Sequence, residues 1–394
     1  MSDADDDYID YLFSNYTGES KTFWTTVSKF VQSLGSSLDL STFVISLIGI
    51  LANTFHLIVL TRKSMRNQTV NLFLTGIAFC DLARMFCVIA ILLPMFNVIY
   101  IQSQVPDQCL APQWYITMVI STLCVTTNII VQQLSIWYAV TIAILRTLVV
   151  WYPFNPRICS LIDAKYGIRP FLFVTAIFVP FWIISYSEDY VRSYRLWTPP
   201  PECTNFPSNY SIMEYYYDVV PIFGESSTES YLIALVLQGV LCKLVPCVIL
   251  PLATISLILG LNKSRRLTFD KKNDSNQRST KLVIFMTLSF FIANFPLGLL
   301  YLTEVVVHDS FGLAFIAKRL TSVFTLLNVV NGTVHFLICF FMSSQYRATA
   351  RNILNCCGPP NESVQSVSAF TVQTKTKSAN SVRSLVNLNS GKIE

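Results

Sequence analysis

The sequence predicts an all-α membrane protein, a seven-transmembrane helix bundle with its amino terminus outside and its carboxyl terminus inside the cell. The 394-residue chain is 53% hydrophobic and 13% charged, with a mean hydropathy of +0.50, whereas soluble proteins carry about 25% charged residues. Its apolar residues also gather into runs that each exceed the length needed to cross a bilayer, about 20 residues. Seven such runs lie at about 40–61, 70–96, 113–149, 169–187, 230–261, 281–303 and 313–342.

The first run begins after Asp39 and ends before Arg62. The third run is the one around which we expect the others to pack, because it combines a long uncharged stretch with polar side chains at helical spacing. A polar stripe in lipid needs neighbouring helices to cover it. Prolines interrupt the later runs, which is tolerated in membrane helices because neighbours re-satisfy the freed backbone groups. They are Pro170 and Pro180 in the fourth run, Pro246 and Pro251 in the fifth, and Pro296 in the sixth.

The charges of the connecting segments predict the orientation, because positively charged loops stay in the cytoplasm. Basic residues follow runs one, three, five and seven, and include Arg62, Lys63, Arg66, Arg146, Arg157, Lys165, Arg169, Lys263, Arg265, Arg266, Lys271, Lys272, Arg278, Lys281, Arg347 and Arg351. The opposite segments are acidic or neutral, with the aspartates of the first ten residues, Asp107, Glu188, Asp189, Glu202, Glu214, Asp218, Glu225 and Glu229. A multi-pass plasma-membrane protein is therefore expected.

This orientation divides the chain into four parts. Residues 1–39 form an acidic extracellular amino-terminal segment, and residues 40–344 form the membrane domain. Residues 345–357 are predicted to form an amphipathic cytoplasmic helix. Residues 358–394 are rich in Ser, Thr, Asn and Lys and poor in large apolar groups, a composition typical of a disordered tail. Two glycosylation sequons, at Asn15 and Asn209, fall on the predicted outer side.

The cysteines support the same division. Only Cys109 and Cys203 lie in outer loops, and in an oxidising space such a pair forms a disulfide. Cys124, within the third run, is the alternative partner for Cys203. Cys356 and Cys357 follow the predicted cytoplasmic helix, where they are either palmitoylated or two free cytosolic thiols.

The spans carry several short motifs. They are GILAN ending at Asn53, NLFLTGIAFCDL containing Asp81, Ser135, Trp137 and Arg146 followed by Pro153-Phe154, Pro246, the pair Phe290 and Pro296, and Asn331 followed by MSSQYR. Together, over about residues 40–355, these motifs resemble the rhodopsin-like class of G protein-coupled receptors.

The departures from this class narrow the resemblance. Leu145-Arg146-Thr147 replaces Asp-Arg-Tyr, Asn294 replaces a tryptophan, and His335-Phe336 replaces Asn-Pro. With the segments SIW, ILRTLVV, STKLVIFMTLSFFIANFPLG and HFLICFFMSSQYR, the chain looks like the nematode serpentine receptor class W. That family resembles FMRFamide-like and myosuppressin-type peptide receptors.

The resemblance implies a switch built around Asp81, a carboxylate that is costly at that depth unless it is paired. Where the class holds sodium, a protonated His335 would replace the ion, and a neutral histidine donating one hydrogen bond is the alternative. The expected neighbours in this cluster are Asn53, Ser135, Asn331 and His335.

The resemblance also implies a G protein contact at the inner face, formed by Arg146, Pro153 and Lys281, unless Arg146 is only a snorkelling arginine at a helix end. The expected ligand-binding residues are Asn128, Gln132, Lys243, Asn294, Glu304, Thr325 and Asn328. A structural bond between helices is the alternative for Lys243, because a buried lysine needs a partner.

These features predict a G protein-coupled receptor, with an extracellular amidated FMRFamide-like neuropeptide as ligand. The acidic outer segments would attract such a cationic peptide, although they also fit a plain solvated surface. The other partners expected are a heterotrimeric G protein, an arrestin-like protein at the tail and membrane lipids, but no nucleic acid. A chemosensory receptor for an external small molecule or peptide is the alternative, and a channel or transporter a distant one. We expect no enzymatic activity, no metal and no cofactor.

Overall fold

A computed structural model describes residues 3–204, 206–207, 209–222, 224–267 and 274–355. Residues Met1–Ala350 belong to one compact unit, and Arg351–Glu394 to a second, of which only the first residues are described. Within the described ranges, seven helices are long and apolar enough to cross a membrane, as predicted. These segments are Gly18–Leu60, Thr69–Gln102, Tyr115–Trp151, Ala164–Phe181, Ser227–Lys263, Val283–Val306 and Phe311–Met342.

The helices and strands follow one another in a simple order. They are α1 (Asp3–Leu12), α2 (Gly18–Leu60), α3 (Thr69–Gln102), α4 (Tyr115–Trp151), α5 (Pro156–Ser160), α6 (Ala164–Glu188), β1 (Asp189–Trp197), β2 (Ile212–Val219), α7 (Ser227–Gly239), α8 (Val245–Leu267), α9 (Asp274–Val306), α10 (Phe311–Met342) and α11 (Ser344–Leu354). The helix α4 contacts α3, α6, α8 and α9, which agrees with the central position expected for the third run. On the other side of the bundle, α10 packs against α2, α3 and α9.

The amino-terminal segment is folded rather than extended. The helix α2 has 43 residues and is therefore about 65 Å long, roughly twice the bilayer core. The short helix α1 folds back, and its Ile9 and the following Phe13 are fully buried against Ile316 of α10. A side chain at Gly312 would overlap the Phe13 ring. We call α1 and Phe13, packed on the start of α10, the amino-terminal cap.

A two-stranded antiparallel hairpin interrupts the otherwise helical fold, and the sequence analysis did not predict it. Strand β1 pairs with β2, so that Asp189 lies opposite Val219 and Trp197 opposite Ile212. The strand sequences DYVRSYRLW and IMEYYYDV are rich in tyrosine and other residues that favour strands. The hairpin connects α6 to α7 and contacts α4.

The fifth span contains one π-helical turn, Val240–Leu244, between α7 and α8. Pro246 follows this turn and has no N–H with which to continue the regular pattern. Single π turns of this kind occur frequently at functional sites. Lys243 lies in this π turn and points into the interior of the helix bundle, where it is only 2% exposed.

The predicted cytoplasmic helix corresponds to α11. Tyr346 is fully buried, and its hydroxyl lies 2.9 Å from Nδ1 of His56 in α2. A second contact joins the hydroxyls of Ser64 and Thr349 at 3.1 Å. The predicted palmitoylation sites Cys356 and Cys357 and the tail 358–394 lie outside the described residues.

Candidate functional site

Three ionisable side chains meet in the middle of the bundle. Asp81 of α3 lies 2.6 Å from Nδ1 of His335 through its Oδ2 atom. Its Oδ1 atom lies 3.4 Å from Nη2 of Arg84, one helical turn along α3. All three residues are at most 4% exposed. We call Asp81, Arg84 and His335 the buried charge cluster.

The sequence analysis placed Asp81 beside His335 but overlooked Arg84. Because Arg84 follows Asp81 by three residues, the two side chains share one face of a helix. A charged residue inside an apolar run is itself a functional signal, so the sequence contained the information needed to find this pair.

The other residues predicted for this cluster do not bond to Asp81. The Asn53 amide donates instead to the carbonyl oxygens of Gly49 and Gly332, both at 3.1 Å, and so ties α2 to α10. In the described part of the chain, the Ser135 hydroxyl and the Asn331 amide oxygen are buried and have no hydrogen-bond partner.

A chain of polar contacts leads from the buried charge cluster to the fifth and sixth spans. Nη2 of Arg84 donates to the Asn328 carbonyl at 2.5 Å, and the Asn328 amide donates to the Ala293 carbonyl at 3.0 Å. The next residue, Asn294, accepts from Nζ of Lys243 at 3.3 Å. Four spans, α3, α10, α9 and the π turn of the fifth, are therefore connected through side chains.

A second route runs along α9. The Asn294 amide also donates to the Phe290 carbonyl, and the Phe290 ring lies 4.8 Å from the His335 ring, measured between centroids. A displacement of α9 would therefore change the surroundings of Lys243 and of His335 together.

The structure divides the predicted ligand-binding residues into two groups. Lys243, Asn294 and Asn328 belong to the polar chain. The bond from Lys243 to Asn294 is a contact between helices, which is the alternative that the sequence analysis gave for Lys243. Glu304, also among the expected ligand-binding residues, is 7% exposed and accepts from the Tyr231 hydroxyl at 2.5 Å.

The remaining predicted residues are only partly buried. The Thr325 hydroxyl donates to the carbonyl oxygen of Thr321. Asn128 and Gln132 are half-buried on α4, and Oδ1 of Asn128 has no hydrogen-bond partner among the described residues.

One end of the bundle is covered by the hairpin and stapled by a disulfide. Cys109 and Cys203 are bonded, as predicted, and Cys124 is free. We call this the disulfide end. The sequon residues Asn15 and Asn209 are both exposed there, so both are accessible for the predicted glycosylation.

The hairpin also carries basic residues. The sequence analysis described the outer segments as acidic or neutral and did not consider Arg192 and Arg195. Arg192 pairs with Asp218 at 3.4 Å, and Arg195 pairs with Glu214 at 2.7 Å. The Tyr190 hydroxyl donates to Asp218 at 2.8 Å, and together with Arg192 it holds the pKa of the Asp218 carboxyl below its ordinary value. These two acids are thus already neutralised.

The opposite end of the bundle carries Arg146, and we call it the Arg146 end. Arg146 is half-buried, and its Nε atom has no hydrogen-bond partner among the described residues. Nearby, Thr147 donates to the Ala253 carbonyl at 3.0 Å and ties α4 to α8. Pro153 is exposed on the loop that follows. The side chain of Lys281 lies outside the described residues.

Seven membrane-spanning helices packed around a buried charge cluster form the architecture of the seven-transmembrane receptors. The chain belongs to the serpentine type seven-transmembrane G protein-coupled chemoreceptor family Srw, whose model matches residues 40–357. No curated protein matches the sequence. Membership makes the chain a non-enzymatic, multi-pass plasma-membrane receptor that couples an extracellular ligand to a G protein, and it confirms the resemblance to receptor class W.

Proposed function

We propose that this chemoreceptor responds to a cationic, amidated neuropeptide of the FMRFamide-like type. In this proposal the ligand enters at the disulfide end, which lies outside the cell. Disulfides persist in extracellular surroundings, which supports that orientation.

The observation that carries the proposal is the surface around the hairpin. Tyr194, Tyr216 and Tyr217 are exposed on its strands, and aromatic faces bind guanidinium and ammonium groups. The guanidinium of Arg195 already lies 5.3 Å from the centre of the Tyr194 ring, so the proposal uses Tyr216 and Tyr217. Glu202, in the loop that joins the two strands, is exposed and is not paired with a hairpin arginine; it accepts from Gln108 at 2.8 Å. A peptide that combines an arginine with an aromatic residue complements such a surface.

The polar chain supplies a route for the signal. Ligand contact at the outer parts of α9 and α10 would shift Asn294 and Asn328, and through them Arg84 and His335. The resulting movement of α9 would open the Arg146 end to the G protein, where Arg146, Pro153 and Lys281 form the contact. The tail 358–394 would then recruit an arrestin-like protein once phosphorylated. Palmitoyl groups on Cys356 and Cys357 would hold α11 to membrane lipids.

A peptide screen with a second-messenger readout tests the ligand class. We would compare an amidated peptide ending in Arg-Phe, its free-acid form and a form in which citrulline replaces arginine. The amide should be the most potent, and loss of the positive charge should raise the half-maximal concentration at least about tenfold, equivalent to 1.4 kcal/mol. Equal potency of all three forms would contradict the proposed recognition.

A chemosensory role with a small external ligand is the second candidate, and the family's description as chemoreceptors favours it. A cavity of about 620 Å³ lies between α3 and α4 beneath Tyr217, lined by Pro94, Met95 and Thr122 among others. This volume suits a small molecule. A response to small molecules, with none to amidated peptides, would favour this candidate.

The G protein contact is tested by Arg146→Ala. We expect loss of agonist-stimulated nucleotide exchange with ligand binding retained, because Arg146 is far from the disulfide end. Arg157→Ala, at an exposed position near the same end, serves as the matched control and should signal normally. Full exchange by Arg146→Ala at equal surface level would show that Arg146 is only a snorkelling residue.

A further inference from the structure

Arg84 is a buried cation in the middle of a membrane helix. A guanidinium in this position is strongly unfavourable unless its charge is balanced and its N–H groups are bonded. Both conditions are met in part by Nη2, which lies 3.4 Å from Oδ1 of Asp81 and donates to the Asn328 carbonyl at 2.5 Å. Arg84 therefore contacts both α3, on which it lies, and α10.

The backbone of α10 is shaped to receive this guanidinium. A Cβ atom at position 332 would overlap Nη2 of Arg84 and would lie 2.9 Å from Oδ1 of Asp81. Only glycine leaves the space for the ion pair to rest directly on the helix. The same residue, Gly332, accepts the Asn53 amide through its carbonyl, so α2 is held at the same point.

The charges of the cluster balance without a further ion. Asp81 and Arg84 form a neutral pair, and a neutral His335 that donates through Nδ1 completes the bonding of the carboxylate. Nε2 of His335 has no partner among the described residues. A protonated His335 would bury a second cation with an unbonded N–H group beside Arg84.

We propose that Arg84 is the permanent counter-cation of Asp81 and that it fastens α3 to α10. The receptor then needs no diffusible cation at Asp81, because a residue of the chain occupies the place where one would bind. His335 acts as a neutral hydrogen-bond donor. This proposal does not depend on the identity of the ligand.

Thermal unfolding of the purified receptor in detergent tests the proposal, with NaCl and choline chloride compared at equal ionic strength. Wild type should have the same Tm in both salts. Arg84→Gln leaves a buried carboxylate without a cation, so its Tm should fall by roughly 5–10 °C and should rise again with NaCl but not with choline. The double variant Asp81→Asn/Arg84→Gln should recover most of the lost Tm, and its Tm should be the same in NaCl and in choline chloride.

Two further variants separate a charge-balancing role from a merely structural one. Arg84→Lys keeps the cation and should remain insensitive to sodium, whereas Arg157→Gln, at an exposed position, should behave as wild type. If Arg84→Gln does not fold, the Tm of Asp81→Asn is compared with that of the double variant. Asp81→Asn leaves Arg84 unpaired, so it should be the less stable of the two. A wild-type Tm that rises saturably with sodium, or a double variant no more stable than either single one, would overturn the proposal.

Discussion

Single buried polar contacts connect elements that are far apart in the sequence. The hydroxyl of Tyr346 is one example, because it holds α11 to His56 of α2 at a point where both side chains are buried. Removing one partner of such a bond leaves the other unsatisfied, which costs about 1–3 kcal/mol.

Tyr346→Phe should therefore lower the free energy of unfolding by about 1–3 kcal/mol while keeping the ring in place. Thermal unfolding of the purified receptor would measure the change. Tyr11→Phe, at a position that is 73% exposed, is the matched control and should have no effect. Equal Tm values for Tyr346→Phe and wild type would show that this bond does not stabilise the docked helix.

Only some contacts of single residues could be predicted from the sequence. Asp81 and His335 were expected as neighbours because a family pattern places both at one depth. Asn53 and Asn331 fit the same pattern, yet Asn53 bonds to backbone carbonyls, since the rotation of each helix and the rotamer of each side chain depend on packing. Tyr346 and His56 carry no sequence signal for their contact, because it depends on where α11 docks.

At the scale of elements, the disulfide fixes the hairpin over one end of the bundle. Cys109 precedes α4, and Cys203 lies between β1 and β2, 94 residues later. Cross-linking such a loop removes conformational freedom from the unfolded chain, an effect of about 4–5 kcal/mol in the chain-entropy treatment.

Cys109→Ser and Cys203→Ser should each reduce surface expression and ligand response strongly, because both leave the hairpin untethered. Flow cytometry with an extracellular tag and the second-messenger assay would measure the two effects. Cys124→Ser is the control and should be silent, since Cys124 is free. A silent Cys109→Ser would contradict a role for the staple.

The sequence predicted the staple but not the hairpin or the π turn. The pairing followed from the position of two cysteines in the loops of one side. The hairpin strands lack a clear alternation of polar and apolar residues, and β1 includes an irregularity between Ser193 and Leu196. The π turn arises from the local backbone before Pro246, which hydrophobic periodicity does not detect.

At the scale of the whole molecule, seven apolar segments define the spans of the receptor, and the distribution of basic residues predicts its orientation in the membrane. The number of spans followed directly from composition, because a bilayer imposes a minimum apolar length. The amino-terminal cap could not be predicted in this way, since its stability depends on contacts with α10, about 300 residues away.

Epitope tags at the two ends of the chain test the predicted orientation. On intact cells the amino-terminal tag should be stained, and the carboxyl-terminal tag only after permeabilisation, because the basic segments stay inside. A known cytoplasmic protein stained in parallel controls for leaky cells. Staining of the carboxyl-terminal tag on intact cells would reverse the orientation, and with it the assignment of the ligand side.

The amino-terminal cap has a kinetic consequence. Opening it exposes Ile9 and Phe13, at a cost of about 1.5–3 kcal/mol for each side chain. The open form is then roughly 10²- to 10⁴-fold rarer than the closed one. A ligand whose path passes beneath the cap would associate more slowly by that factor, and once bound it would be retained behind the same barrier. Long residence at the receptor would then follow from the cap rather than from tight contacts in the pocket.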